Sequence, residues 1–210
     1  MDRRVFLGGA AAALASPALG STRATRTFRI IRDGDDIGTH ALEAVVGANG
    51  FEIAIDIRIA VKVLGITAYR YEMDNREIWK NGRIVSVNSV VNDDGTKDFA
   101  KANRNGEALN LEGSRFNGAA PSIAATTSYF TTDFLKRQPW ISTQTATPLD
   151  IKIAPEGRDR WWKTAGVLET NLGYDANGEW IGCEFDAGGE LASYEVAGGA
   201  GQIAALWASA

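Results

Sequence analysis

Residues 51–63 alternate strictly between apolar and polar or small side chains, and this alternation constrains the fold more than any other feature. The apolar positions are Phe51, Ile53, Ile55, Ile57, Ile59, Val61 and Val63. Because successive side chains of a β-strand point to opposite faces, the pattern predicts a strand with one apolar and one charged face. At about 3.3 Å per residue, such a strand would be about 43 Å long, well above the usual strand length. A strand of this length is normally curved, and its apolar side chains must be shielded from water by other parts of the protein or by a ligand.

Turn signals recur through the rest of the chain at a spacing of about 10 to 15 residues. The strongest is Asn81-Gly82, because both residues tolerate the positive φ angles of a tight hairpin. The spacing predicts an all-β protein, an antiparallel meander curved into an open or closed barrel, with one or two short helices. Residues 133–137 and 202–207 are the predicted helices, 114–121 a predicted loop, and 123–129 a candidate strand.

The first twenty residues carry the features of an export signal. Arg3 and Arg4 form a twin-arginine pattern, followed by a weakly hydrophobic run at 8–14 and by small residues suited to cleavage between positions 15 and 20. The run is too short to span a membrane. The sequence therefore predicts a bacterial protein that is periplasmic or otherwise exported. The predicted organisation of the chain is a twin-arginine signal peptide (1–20), a single β-barrel-like domain (26–197) and an alanine- and glycine-rich tail (198–210).

Composition argues against several functional classes. The net charge of −4 becomes more negative once the signal is removed, so we expect no attraction to nucleic acid. Cys183 is the single cysteine and His40 the single histidine, so neither an internal disulfide nor a metal site is expected. Nucleotide-binding glycine motifs are missing from the sequence, and we predict no cofactor.

Candidate catalytic groups are few, and the sequence predicts no catalytic residue. His40 lies in the middle of a predicted strand, where a structural histidine is the commoner case. Glu52 and Asp56 share the charged face of the long strand and could form a carboxylate pair, although a solvated outer face explains them as well. Cys183 alternates with Ile181 and Phe185, which is typical of an inert buried thiol.

The large aromatic side chains are more informative. Many of them are amphipathic rings, which can pack a barrel core or line the mouth of a cavity. Together with the apolar face of the long strand they predict an apolar cavity beside Ile55, Ile57 and Ile59. The predicted ligand-binding residues are Ile55, Ile57, Ile59, Tyr69, Tyr71 and Trp79.

Several short motifs resemble an uncharacterised family of bacterial exported proteins that is known only as a domain of unknown function. The matching elements are Arg32-Asp33-Gly34 with Ile37-Gly38, Val61-Lys62-Val63-Leu64-Gly65, Tyr69-Arg70-Tyr71, Trp79-Lys80-Asn81-Gly82, and residues 174–180. The resemblance implies no known activity. The overall shape it implies is similar to the open β-barrels of periplasmic lipoprotein carriers, an analogy of fold alone.

Three functional hypotheses follow from the sequence. The first is non-enzymatic binding of an apolar or amphipathic partner, a lipid, an acyl chain or another hydrophobic small molecule, inside the barrel. The second is a structural or interaction protein of the cell envelope whose interior is packed. The third is an enzyme that uses His40 or the face with Glu52 and Asp56.

Overall fold

The structure is a computed structural model that describes residues 22–63 and 65–210. The predicted signal peptide, residues 1–20, lies outside the described residues. The described elements follow in chain order: β1 (Arg23–Arg32), β2 (Asp35–Gly47), β3 (Gly50–Val63), β4 (Ile66–Lys80), β5 (Arg83–Asp93), β6 (Thr96–Asn105), β7 (Ala108–Gly113), β8 (Asn117–Pro121), β9 (Ala125–Thr126), a 3-10 helix (Thr132–Lys136), β10 (Trp140–Ile141), β11 (Pro148–Leu149), β12 (Ile151–Pro155), β13 (Trp161–Gly166), β14 (Asn171–Tyr174), β15 (Trp180–Asp186), β16 (Leu191–Ala200) and α1 (Ile203–Ala208).

One large antiparallel sheet dominates the fold. Its thirteen strands lie in the order β12-β13-β14-β15-β16-β1-β2-β3-β4-β5-β6-β7-β8, so two meanders meet where β16 pairs with β1. A small sheet of β11, β10 and β9 accompanies it. The predicted all-β, antiparallel, barrel-like fold is confirmed, and the large sheet curves without closing: β8 and β12 form its two edges.

The alternating segment forms β3, near the middle of this sheet. It pairs along its length with β2 and β4, with His40 opposite Ile57 and Ile59 opposite Tyr71. Glu52, Asp56 and Arg58 form ion pairs on the outer face of the sheet, as predicted for a half-exposed strand. Its apolar side chains face the interior, where Phe51 and Ile53 are fully buried.

Two local predictions in the middle of the chain are wrong. Residues 114–121, predicted as a loop, contain the short strand β8, because β7 offers it a free edge that outweighs the low strand preference of Asn117-Gly118-Ala119. In the candidate strand 123–129, only Ala125–Thr126 pairs as a strand, and its partner is the equally short β10. The predicted helix at 133–137 is present as a 3-10 helix, Thr132–Lys136.

The chain between β8 and β12, which we call the interior segment (residues 122–150), covers the lower part of the inner face. We call the end of the sheet with the β2–β3 and β4–β5 turns lower. There an aromatic floor forms from Phe51, Trp79, Phe130, Phe134 and Trp207. The ring centroids of Trp79 and Phe134 are 5.1 Å apart, and those of Trp79 and Trp207 are 5.2 Å apart. Aromatic contacts of this kind add to the free energy gained by burying the rings.

A buried carboxylate, Glu77 of β4, attaches the interior segment to the sheet. Its Oε1 accepts from Asn75 Nδ2 at 2.8 Å, and its Oε2 accepts from Trp79 Nε1 at 2.9 Å and Thr126 Oγ1 at 3.1 Å. Ser128 Oγ adds a fourth, longer contact at 3.4 Å. Glu77 is fully buried, and this desolvation raises its pKa against the opposing effect of the hydrogen bonds.

A second buried carboxylate, Glu179, anchors the C-terminal helix. Its oxygens accept from the backbone N–H of Ile203 at 3.1 Å and of Ala204 at 2.8 Å, so it satisfies the first turn of α1 from a distant loop. Arg26 Nη2 of β1 lies 3.2 Å from the same carboxylate. These contacts fix the start of α1, whose Trp207 is part of the aromatic floor.

We predict that Glu77→Gln and Glu77→Leu separate the hydrogen-bonding and charge contributions of this residue. The folded-state pKa of Glu77 is raised, so its contribution to stability is complete below the unfolded pKa and is lost as pH rises through the folded pKa. Glu77→Gln removes that loss, and urea unfolding from pH 4 to 8 should show the variant gaining stability relative to the wild type as pH rises. Glu77→Leu leaves several donors without an acceptor and should cost about 3 kcal/mol or more at every pH. Parallel pH profiles of the wild type and Glu77→Gln would contradict the ionisation argument.

Candidate functional site

Above the aromatic floor, the sheet and the interior segment surround an open cavity of about 960 Å³. Strands from both meanders contribute to its walls, which shows that the sheet curls around it. The apolar lining consists of Ile37, Ile57, Ile59, Val61, Met73, Leu149, Val167, Leu168 and Phe185. Its mouth lies at the upper end, beside the β1–β2 and β3–β4 turns, where Tyr69 is 36% and Val167 is 73% exposed.

The inner face of β3 shows where packing ends and the cavity begins. Phe51, Ile53 and Ile55 are buried in the core, with Ile55 only 4% exposed. Ile57 and Ile59, the next two residues of the same face, are half-buried and line the cavity. Close packing on the inner face of β3 therefore ends between Ile55 and Ile57, and above this point the interior segment forms part of the cavity wall.

The structure brings four of the six predicted ligand-binding residues to this cavity. Ile57, Ile59, Tyr69 and Tyr71 all line it. Ile55 lies below it in the packed core. The sixth, Trp79, is fully buried in the aromatic floor, where its Nε1 donates to Glu77, so it does not reach the cavity.

His40 forms part of the cavity wall and is 3% exposed. Its ring lies edge-on to Trp180 and Tyr194, with centroid distances of 5.1 Å and 5.4 Å. Neither ring nitrogen has a hydrogen-bond partner among the described residues. Burial lowers the pKa of His40 to about 3, so the imidazole is neutral at ordinary pH.

Two tyrosines missed by the sequence reasoning complete this wall. Tyr129 of the interior segment and Tyr194 of β16 both line the cavity, and their hydroxyl groups make no hydrogen bond within the described part of the chain. Burial raises the pKa of both, and Cys183 and Tyr71 lie close enough to interact with them electrostatically. Tyr194 shares its strand face with the buried Ala192, a period-two signal that could have found it, whereas Tyr129 lies in no periodic pattern.

The two arginines that line the cavity lie at its mouth and are paired, whereas Glu169 and Asp186 line it without an ion pair among the described residues. Arg32 Nη2 is 3.0 Å from Glu190, and Arg115 Nη2 is 3.4 Å from Asp98. A phenolic hydroxyl, that of Tyr69, donates to Asp93 at 2.8 Å. The mouth is therefore polar at its rim, and the walls below it combine apolar side chains with buried threonines, Thr143, Thr145 and Thr170.

The predicted carboxylate pair lies away from the cavity, on the outer face of β3. Glu52 pairs with Arg76 at 3.2 Å, and Asp56 pairs with Arg58 at 2.6 Å. Arg58 also reaches Asp74 at 2.6 Å, the residue directly across from Asp56 on β4. Burial raises the pKa of Asp56, and the Arg58 charge opposes this shift. These contacts are those of an ion-paired sheet surface.

The described residues hold no group of three or more histidine, cysteine or carboxylate side chains that could bind a metal ion. Within the same residues, no helix has the length and apolar character needed to cross a membrane.

The family assignment follows from a comparison with known sequence families. Residues 28–197 match the profile of a domain of unknown function, DUF6134. The chain belongs to this family. The predicted membership of an uncharacterised domain family is thereby confirmed, and a search of curated proteins finds no match to this DUF6134 chain.

A solved structure shows the same architecture. The DUF6134 chain is similar to a crystal structure of a β-barrel-like protein of a domain of unknown function, DUF1849, from Brucella abortus. The TM-score is 0.54 with 8% sequence identity, and the match covers 87% of this chain and 98% of the other. At this identity the likeness shows the fold alone, a barrel-like sheet.

We predict that Cys183 is unreactive in the folded protein although it lies in the cavity wall. It is 3% exposed, and burial raises its pKa, so the reactive thiolate is scarce. Because it is the single cysteine, Ellman's reagent should label the native protein at least about 100-fold more slowly than the urea-unfolded chain at pH 8. Labelling of the native protein at the unfolded rate would show that the thiol is open to solvent and ionisable.

Proposed function

We propose that this protein is exported to the bacterial cell envelope and binds an apolar or amphipathic ligand, such as a lipid or an acyl chain, in its cavity without catalysing a reaction. The observation that carries the proposal is the apolar face of β3, which continues past the packed core into a cavity of about 960 Å³. Ligand sites of proteins typically enclose a few hundred to about 1,000 Å³ and have mostly apolar walls with few polar groups. The cavity matches this description in size, and its lining beside β3 is apolar, while threonine, serine and glutamine side chains of the interior segment form a polar part of the wall.

The floor of the cavity supports binding of a chain that enters from the mouth. The aromatic floor and α1 close the lower end of the cavity. A ligand therefore enters at the upper end, where Tyr69 and Val167 are exposed. Exposed apolar side chains beside an opening are typical of sites where apolar ligands pass. Export also supports the proposal that the protein binds an apolar chain, because such a chain needs a carrier or a binding protein in the aqueous space of the envelope. The basis for export is the Arg3-Arg4 signal pattern.

The residues considered for catalysis support binding over chemistry. His40 has no carboxylate or hydroxyl in hydrogen-bond contact, and burial keeps its imidazole neutral. Burial also keeps the Cys183 thiol protonated. Glu52 and Asp56 are ion-paired on the face of β3 opposite the cavity. A nucleophile paired with an oriented base is therefore not formed by these groups.

A structural or interaction role is the second candidate, and one observation favours it. The lower half of the interior is packed with the rings of the aromatic floor, and two buried carboxylates fix the covering segments there. A protein that only needs a stable barrel would have this kind of interior throughout. The two candidates therefore differ in the use of the upper half.

We expect a charge in the cavity wall to weaken binding of an apolar probe. The neutral fluorophore N-phenyl-1-naphthylamine should bind the wild-type protein, and Ile59→Asp should weaken binding about tenfold or more, since it removes an apolar contact and adds a charge that must stay hydrated. Ala60→Asp is the matched control, because Ala60 lies on the outer face opposite Arg70 and does not line the cavity. It should leave the dissociation constant within about twofold. Circular dichroism checks that both variants fold.

Two results would refute the binding proposal. One is a wild-type protein that does not bind the fluorophore. The other is an equal effect of Ile59→Asp and Ala60→Asp, which would place the fluorophore outside the cavity. Either result would favour the structural role.

A further inference from the structure

One side of the cavity carries hydrogen-bonding groups that the protein leaves unused. We call it the inner wall, formed by His40, Tyr71, Tyr129, Cys183 and Tyr194. The three phenolic hydroxyls donate to no described protein group, although tyrosine hydroxyls in protein interiors usually find a partner. By contrast Tyr174, which does not line the cavity, donates to the Tyr129 carbonyl at 2.9 Å.

His40 adds an unsatisfied donor and an unsatisfied acceptor to the same wall. Both of its nitrogens are buried and unpartnered within the described residues, and its ring packs against the rings of Phe28, Trp180 and Tyr194. A buried polar group without a partner lowers the stability of a protein. The two nitrogens have no accessible surface in the cavity, so the phenolic hydroxyls are the polar groups of the wall that a ligand can reach.

The inner wall carries no charge that could pair with an ionic ligand. The described cationic side chains of the cavity are Arg32 and Arg115, which lie at the mouth and are paired with Glu190 and Asp98. A neutral imidazole has one donor and one acceptor, and a phenol can donate and accept. A carboxylate placed here would be an unpaired buried charge, whereas a pure hydrocarbon would leave every polar group of the wall unsatisfied.

We propose that the inner wall is a subsite for the hydroxyl group of a neutral lipid alcohol, which enters the cavity hydroxyl first. This inference rests on the proposed binding function and specifies its ligand class. A hydroxyl donates one hydrogen bond and accepts others, so it matches the mixed donors and acceptors of the wall. The alkyl chain then extends past Ile57 and Ile59 toward the mouth, along the apolar part of the cavity wall.

Displacement of N-phenyl-1-naphthylamine by three ligands of equal chain length tests the subsite. The ligands are 1-dodecanol, dodecanoate and n-dodecane, at pH 7. In the wild-type protein, dodecanol should displace the fluorophore at least about tenfold more effectively than dodecanoate. Tyr194→Phe and Tyr129→Phe should each weaken dodecanol about fivefold and leave dodecane within twofold, because they remove a hydrogen bond and little apolar surface. Ser89→Ala, which removes a buried, unpartnered hydroxyl outside the cavity, is the control that should not change the dodecanol-to-dodecane ratio.

The outcomes distinguish failure of the hydroxyl subsite from failure of the proposed binding function on which it rests. A dodecanoate affinity above that of dodecanol would overturn the hydroxyl subsite and leave apolar binding standing. An unchanged dodecanol-to-dodecane ratio in Tyr194→Phe and Tyr129→Phe would also overturn it, since the hydroxyl would then sit elsewhere. Failure of the fluorophore to bind the wild-type protein would remove both the subsite and the binding function.

Discussion

The apolar inner face of β3 must be covered, and the rest of the structure follows from how it is covered. The sheet curls over this face, and the interior segment and α1 fill the lower part of the space with aromatic rings. Close packing ends between Ile55 and Ile57, above which the same face lines a cavity. A single strand thus takes part in the core at one end and in the candidate site at the other. The long, uninterrupted alternation of its sequence therefore supplies apolar side chains both to the packed core and to the cavity wall.

Two buried carboxylates fix the boundary between core and cavity. Glu77 binds Thr126 and Ser128 of the interior segment, and Glu179 binds the first turn of α1. Both carboxylates lie within the described lower half, where their hydrogen bonds offset the cost of burial. The His40 nitrogens in the upper half have no such compensation. Unpartnered buried polar atoms also occur beside both carboxylates, at Asn75 Oδ1 and Arg26 Nε, so the lower half is not fully hydrogen-bonded either.

The parts of the fold that could be predicted from the sequence are those with a local periodic signal. The alternation at 51–63 and the Asn81-Gly82 turn predict β3 and the β4–β5 hairpin correctly. The interior segment was harder, because its strands are only two residues long and their conformation depends on packing against the sheet. The strand β8 was missed for a related reason: its residues have little strand preference of their own, and the edge of β7 imposes the pairing.

The candidate site was predictable to a similar extent. Period-two reasoning places Ile57, Ile59 and Tyr71 on the inner face, but it cannot say how far the interior segment packs closely along that face. For this reason Ile55 and Trp79, predicted at the ligand, lie in the packed core. The approach of Tyr129 to the inner wall depends on the path of the interior segment, which carries no periodic signal.

Native mass spectrometry of the protein purified from the envelope of its own bacterium, followed by extraction of the bound material, tests the central claim most directly. The account predicts a species heavier than the mature chain by one lipid-sized molecule. That added mass should persist in Ala60→Asp and disappear in Ile59→Asp, and the extracted molecule should be a neutral, hydroxyl-bearing chain. A wild-type protein that carries only the mass of its own polypeptide under the same gentle conditions would contradict the account.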